Sequence, residues 1–255
     1  MVTREPQARR PGLLITRPKA QGEALAARVI QEGGRAWQFP TLEIRPLPLD
    51  ADRTRAILQP ADWIVFISAN AVSVGWPWVL RAAPIRARLA AVGRATAERL
   101  TGQSGMPVLF PPQGADSEAL LALPEFSAVA GKSVAIIRGR GGREWLKSTL
   151  ESRGALVHYL ECYERCLPQA DLSLLDDALA ENTAVSVQSA EALRNLWSLA
   201  GEERQDALRR LDFLVPHPNI AAAARALGIR RIHVTEPGEE ALVASWKTLA
   251  TLPPS

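Results

Sequence analysis

The chain has 255 residues, 47% of them hydrophobic and 22% charged, a globular composition long enough for one large domain or two small ones. A net charge of +3 gives no ground for a nucleic-acid partner, and two cysteines, at 162 and 166, exclude a disulfide framework. Three histidines, at 158, 217 and 233, are too scattered for a metal site with spaced ligands.

The first residues, Met1 to Pro11, lack the apolar stretch of a signal peptide, and no aliphatic run reaches the length of a membrane span. A cytoplasmic protein with no membrane partner is expected. Leu13 to Arg17 reads as a short strand that ends at Pro18. Ala24, Leu25, Val29 and Ile30 follow at helical spacing, and Gly33-Gly34 stops the helix. Ala36 to Ile44, broken by Pro40, predicts a second strand or an extended connection. Trp63 to Ile67 is a buried-type strand, with Ser68-Ala69-Asn70 where its carboxy end should open into a helix. Leu89 to Val92 is another strand, and Gly93-Arg94-Ala95-Thr96 leads into the next helix. Uninterrupted apolar strands alternating with amphipathic helices predict an α/β fold whose parallel sheet is covered on both faces. Ligands in such folds bind beyond the carboxy ends of the strands, so small polar residues there are the candidates.

The opening pattern returns later in the chain. At an offset of 121, Arg17 answers Arg138, Glu23 answers Glu144, Leu25 answers Leu146 and Gly33 answers Gly154. The same offset aligns Ser68-Ala69 with Ser189-Ala190, and an offset of 122 aligns Glu118-Ala119-Leu120 with Glu240-Ala241-Leu242. Two similar α/β units follow, with a cleft between them. The repeat alone suggests a sequential division near residue 131. Pro46-Leu47-Pro48 and Arg165-Cys166-Leu167-Pro168 are the places where the chain could pass between domains.

Arg138-Gly139-Arg140-Gly141-Gly142-Arg143-Glu144 follows a strand and precedes a helix. Its glycines let backbone N–H groups approach an anion and its arginines add charged donors, though a tight solvated turn has the same sequence. The G-x-G-x-x-G spacing of a dinucleotide site is absent. Thr16-Arg17-Pro18 holds the equivalent place in the first repeat. Ser68, Asn70 and Ser189 read as helix N-caps, a role compatible with ligand contact, and Ser117-Glu118 as a cap and first turn. No Ser-His-Asp or Cys-His set can be assembled, which disfavours covalent catalysis. Cys162 and Cys166 read as apolar fillers, and Tyr159 and Tyr163 as core residues.

The motifs Thr16-Arg17-Pro18, Phe66 to Val72, Val92 to Ala97, Asp116 to Leu121, Arg138-Gly139 with Gly142-Arg143-Glu144, Arg153-Gly154-Ala155 and Tyr163-Glu164-Arg165 occur in order along the chain. Together they resemble the uroporphyrinogen-III synthase family from about residue 12 to residue 249. The resemblance implies two flavodoxin-like, doubly wound parallel-sheet domains joined by a two-stranded connector. Residues 1–43 with 167–255 would form one domain and 44–166 the other, with the substrate in the cleft. It implies closure of the linear tetrapyrrole hydroxymethylbilane to uroporphyrinogen III, in haem, sirohaem and cobalamin biosynthesis, with loss of water and inversion of ring D. An azafulvenium ion and a spiro intermediate carry that reaction, and neither metal nor organic cofactor is needed. The family's residues carry over to Tyr163 as the donor that assists departure of the hydroxyl. They carry over to Ser68, Thr96, Ser117, Arg138, Gly139 and Ser189 as carboxylate binders, with Thr16 and Arg17 beside them. Gln188 and Pro216-His217-Pro218-Asn219 depart from the family pattern; His217 and Asn219 stand where a Gly-x-x-Thr-like loop would bind substrate. A monomer is implied. The competing readings are a non-catalytic two-domain protein closing on an anionic small ligand, and a nucleotide-dependent enzyme using residues 138–144.

Overall fold

The computed structural model describes residues 12–84, 86–181 and 183–249, so the two ends of the first expected domain, 1–11 and 250–255, lie outside the described residues. In chain order the elements begin with β1 (Leu13–Ile15), α1 (Lys19–Gln31), β2 (Ala36–Gln38), β3 (Glu43–Pro46) and α2 (Ala51–Leu58). They continue with β4 (Trp63–Phe66), α3 (Ala69–Arg81), β5 (Arg88–Ala91), α4 (Arg94–Ser104), β6 (Val108–Leu109), α5 (Ser117–Leu121) and α6 (Pro124–Ser127). Next come β7 (Ser133–Gly139), α7 (Trp145–Ser152), β8 (Leu156–Cys166), α8 (Leu172–Ala180), β9 (Ala184–Ser186) and α9 (Ala190–Ala200). The last are α10 (Glu202–Leu208), β10 (Asp212–Val215), α11 (Pro218–Ala226), β11 (Ile232–Val234) and α12 (Glu239–Leu249).

The chain divides into two compact units, one running to Glu43 and resuming at Cys166, the other spanning Ile44–Arg165. A cut near residue 131 would sever β7 and β8 from the strands they pair with. The apolar segment Ala36 to Ile44 is two strands, not one. Pro40 has no N–H to donate, the ladder stops at Gln38, and the chain resumes at Glu43 in the other sheet.

In the first unit the sheet order is β11-β10-β9-β1-β2, all parallel, with Leu13 opposite both Ala36 and Ala184. Numbered by appearance this is 2-1-3-4-5, the flavodoxin-like order. Leu14, Val185 and Phe213 pack on one face against residues of α8, α9 and α11. Leu13, Ile15 and Leu214 pack on the other against α1 and α12, where Trp246 is fully buried. Burial of each such large side chain stabilises by about 1.5–3 kcal/mol.

In the second unit the order is β3-β8-β7-β4-β5-β6, parallel from β8 to β6. All four residues of β4 are buried because helices cover both faces. Ile64, Phe66, Ala135 and Ile137 face α3, while Trp63, Val65, Val134 and Ile136 face α5 and α7.

The repeat is real in three dimensions, but its parts are exchanged. The β1-α1-β2 segment corresponds to β7-α7-β8, and β9-α9-β10 to β4-α3-β5. Yet β1 pairs with β9 and β7 pairs with β4, so each sheet takes its βαβ segment from one repeat and its remaining strands from the other. Read from the edge, β11-β10-β9-β1-β2 and β6-β5-β4-β7-β8 are the same sheet.

Candidate functional site

In the second unit the strand order reverses between β4 and β7, and a crevice beyond their carboxy ends is where an open α/β sheet binds ligands. Ser68 leaves the end of β4 in extended backbone, φ −165° and ψ 161°, and caps α3 by accepting the Ala71 N–H at 3.0 Å. Gly139 ends β7. Beside it a bulge interrupts the β7–β8 register, which passes from Arg138 opposite Glu161 to Gly139 opposite Tyr163. The extra residue, Cys162, changes which face the following side chain meets. By simple alternation Tyr163 would share the face of Tyr159 and Glu161; it joins the core on the α3 side with Leu160 and Cys162 instead.

That turn lays the Tyr163 ring across Gly139, where an added Cβ would stand 2.6 Å from Cε2 and 2.7 Å from Cζ. The phenol then meets Ser68, Oη to Oγ 3.0 Å, with only 2% of the residue exposed. The Arg140 N–H donates to the Tyr163 carbonyl at 2.7 Å and pins the main chain. Tyr163, Ser68 and Gly139, expected separately from the sequence, are therefore one contact group.

Arg138 is placed differently. It is 3% exposed and lies on the opposite face, with its guanidinium 4.3 Å from the centre of the Tyr159 ring. Its donors go to the Glu144 carboxylate at 3.3 Å, the Gly139 carbonyl at 3.2 Å and the Gly141 carbonyl. In this arrangement Arg138, expected as a carboxylate binder, has its guanidinium holding the glycine turn from inside. The turn also contains its own anion, because the Gly141 N–H donates to Glu161 at 3.2 Å. Gly141 and Gly142 have φ of +76° and +95°, left-handed conformations that a side chain would strain. Burial pushes the Tyr159 phenol up to about 12, so it stays neutral beside Arg138. Burial likewise pushes the Cys162 thiol up to about 12, which fits an inert packing residue. Glu164 joins Arg45 at 2.8 Å and Arg140 at 3.0 Å, and the Arg45 hydrogen bond, chief among these contacts, holds its carboxyl below the ordinary range.

Gly93 precedes α4, and Thr96 lies buried in that helix's first turn. An added Cβ on Gly93 would stand 2.7 Å from that of Ala115, so the segment before α5 packs tightly against the start of α4. Ser117 is not the cap of α5. Asp116 is, accepting the Ala119 N–H at 2.8 Å, and Ser117 is the first helical residue. An aspartate precedes the serine in the sequence and caps at least as well, so cap preference alone could have found it.

The first unit presents matching positions at the carboxy ends of β1, β9 and β10. Thr16 is 1% exposed, and its hydroxyl donates to the Ser186 carbonyl at 2.7 Å, tying β1 to β9. Thr41 donates to the Thr16 carbonyl at 3.1 Å and Asn195 to the Thr41 carbonyl at 2.9 Å, contacts with no motif in the sequence. Arg17 pairs with Glu239 at 3.3 Å. Ser189 caps α9, accepting the Ala192 N–H at 3.0 Å, as Ser68 does in the other repeat. His217 caps α11: its Nδ1 accepts the Asn219 N–H at 3.1 Å, with Pro218 as the first helical residue. The expected loop at 216–219 is thus a helix start, and both His217 and Asn219 are exposed there.

Among the described residues no three His, Cys, Asp or Glu side chains gather as a metal set, and no helix is long and apolar enough to cross a membrane.

A family model described as uroporphyrinogen-III synthase HemD matches residues 23–244. The chain is 40% identical over 235 residues to a uroporphyrinogen-III synthase of Salmonella typhimurium, covering 88% of this chain and 94% of that protein. It is 38% identical, with the same coverage, to one of Escherichia coli. Among solved structures it is similar to a uroporphyrinogen-III synthetase of Helicobacter pylori, with a TM-score of 0.61 at 16% identity over 94% of this chain and 99% of that one. A mutant uroporphyrinogen III synthase of Thermus thermophilus gives 0.60 at 19% identity, over 95% and 100%. At those identities the two structures speak for the fold alone.

Proposed function

Because the chain belongs to the uroporphyrinogen-III synthase family, whose members are lyases, we propose that it closes hydroxymethylbilane to uroporphyrinogen III with loss of water and inversion of ring D. The observation that carries the assignment of the chemistry to this chain's residues is the Tyr163 hydroxyl, held 3.0 Å from Ser68 at the point where the second unit's strand order reverses.

The substrate's own pyrrole nitrogen expels the terminal hydroxyl, and Tyr163 lends the proton that lets it leave as water. The azafulvenium ion so formed is attacked at the substituted carbon of ring D, and the spiro intermediate fragments and recombines. Free in solution the chain ends close without rearrangement, so the protein's main work is to hold them in one geometry. The eight substrate carboxylates suit the helix starts at the carboxy ends of the strands, where N–H groups and small hydroxyls are presented. We assign to this role Thr96 and the backbone at Gly139 in one unit, with Ser189, His217 and Asn219 in the other. Ser117, in the first turn behind an acidic cap, and Arg17, already paired, serve at the margin. Thr16 and Arg138 act from beneath the surface, by fixing the strand ends that present these groups. We read the protein as a cytoplasmic monomer acting on a free small molecule, with no nucleic-acid or membrane partner; the two cysteines and the small net charge support this.

Freshly prepared hydroxymethylbilane incubated with the protein, followed by chromatographic separation of the isomers, tests the reading. Isomer III as the dominant product is expected. Isomer I alone, at the rate without protein, overturns it, and tight binding of the bilane without isomer III would favour a non-catalytic binding protein.

A further inference from the structure

Resting on that reading, we propose that Ser68 is a positioning residue for Tyr163, fixing the direction in which the phenol presents its proton, rather than a ligand for a substrate carboxylate. A serine hydroxyl has one hydrogen and two lone pairs. One lone pair of Ser68 Oγ takes the Ala71 N–H at 3.0 Å, which turns the hydroxyl hydrogen away from the helix. Tyr163 Oη stands 3.0 Å from the same oxygen, where either hydroxyl can donate, and in the arrangement proposed here Ser68 is the donor. Once Tyr163 receives that hydrogen, its own is left for another acceptor. The ring cannot choose another place: it lies across Gly139, and its main chain is held by the Arg140 N–H. The one freedom left to the phenol is rotation about its C–O bond, and Ser68 sets that.

The chain of donors runs from the first turn of α3 through Ser68 to Tyr163, and each link polarises the next. In the reacting step the Tyr163 proton passes to the departing hydroxyl, the carbon–oxygen bond breaks, and the pyrrole nitrogen pair fills the vacated carbon. Water leaves. The phenolate that remains accepts the Ser68 hydrogen and lies near the positive end of the 13-residue helix α3. When the last pyrrole regains aromaticity it releases a proton, which restores the phenol, so no proton is consumed overall. The 121-residue repeat offset pairs Tyr163 with Leu42, so the Ser189 cap of the first unit has no phenol to orient, and the device belongs to the second unit alone.

Steady-state formation of isomer III by Ser68→Ala, Ser68→Gly, Ser68→Thr, Tyr163→Phe and the Ser68→Gly/Tyr163→Phe pair tests this. Glycine is included because it caps helices nearly as well as serine, so it removes the hydroxyl while keeping the helix start. The expected result is a kcat lowered about tenfold in Ser68→Ala and Ser68→Gly with KM within about twofold, the pattern of an interaction made in the transition state. Ser68→Thr should recover most of the loss, and Ser68→Gly should cost nothing further once Tyr163 is phenylalanine. A raised KM with unchanged kcat would make Ser68 a carboxylate ligand and overturn the inference, as would full additivity in the double variant. A wild-type protein that makes no isomer III overturns the proposed function, and this inference with it.

Discussion

Tyr163→Phe lowers kcat for isomer III on the order of 10²-fold, the lower end of what a positioned proton donor supplies, because the pyrrole nitrogen already drives the departure of the hydroxyl. The variant keeps its ring, and the ring is what packs: Tyr163 is part of the core with Leu160, Cys162 and Phe66, and its contact with Gly139 is made by ring carbons. Loss of the hydroxyl removes the 3.0 Å contact with Ser68 and little else. The midpoint of denaturant unfolding should therefore move by no more than the worth of one hydrogen bond, about 1 kcal/mol. Circular dichroism alongside the kinetics separates the two effects. A variant with wild-type kcat would remove Tyr163 from the mechanism.

Gly139→Ala should be at least as damaging, and for a reason of space alone. Its new Cβ would stand within 2.7 Å of two ring carbons and 3.1 Å from the hydroxyl. The ring has no open side to retreat to, since the residue is 2% exposed and its carbonyl is bound by Arg140. Forcing a methyl group into such packing costs about 1–3 kcal/mol. The ring moves away from Ser68, and kcat falls with it. Gly102→Ala is the contrast: it sits within α4 with nothing within 4 Å of an added Cβ, and it should gain about 0.5–1 kcal/mol with unchanged turnover. Unfolding midpoints and kcat measured on both variants decide the point. Wild-type turnover in Gly139→Ala would mean that the Tyr163 ring does not depend on this passage.

The parts of the molecule legible in the sequence are those set by local pattern. The buried run Trp63 to Phe66 needs helices on both its faces, and Ser68 and Ser189 cap helices where strand ends meet helix starts. Arg138 is legible too by strand alternation: it stands two residues beyond Ile136 and so shares that residue's covered face. The repeat offset shows in the sequence but the exchange of βαβ segments does not, because which strand β1 pairs with is decided by tertiary packing. The placement of Tyr163 was hidden for a sharper reason. Alternation from Tyr159 and Glu161 assigns it to the wrong face, and only the bulge opposite Arg138 and Gly139 turns it toward Ser68. The role proposed for it thus came from the family resemblance, while its own residue type pointed no further than the core.

If Tyr163 supplies a proton to the departing group, a group that leaves without one should make the phenol dispensable. Hydroxymethylbilane and its freshly prepared acetoxymethyl analogue, whose acetate departs without protonation, are compared as substrates for the wild-type protein and Tyr163→Phe, reading isomer III alone. The difference between the two proteins, on the order of 10²-fold with the hydroxyl, should shrink to near unity with the acetate. An equal difference with both substrates would mean that Tyr163 is not the proton donor.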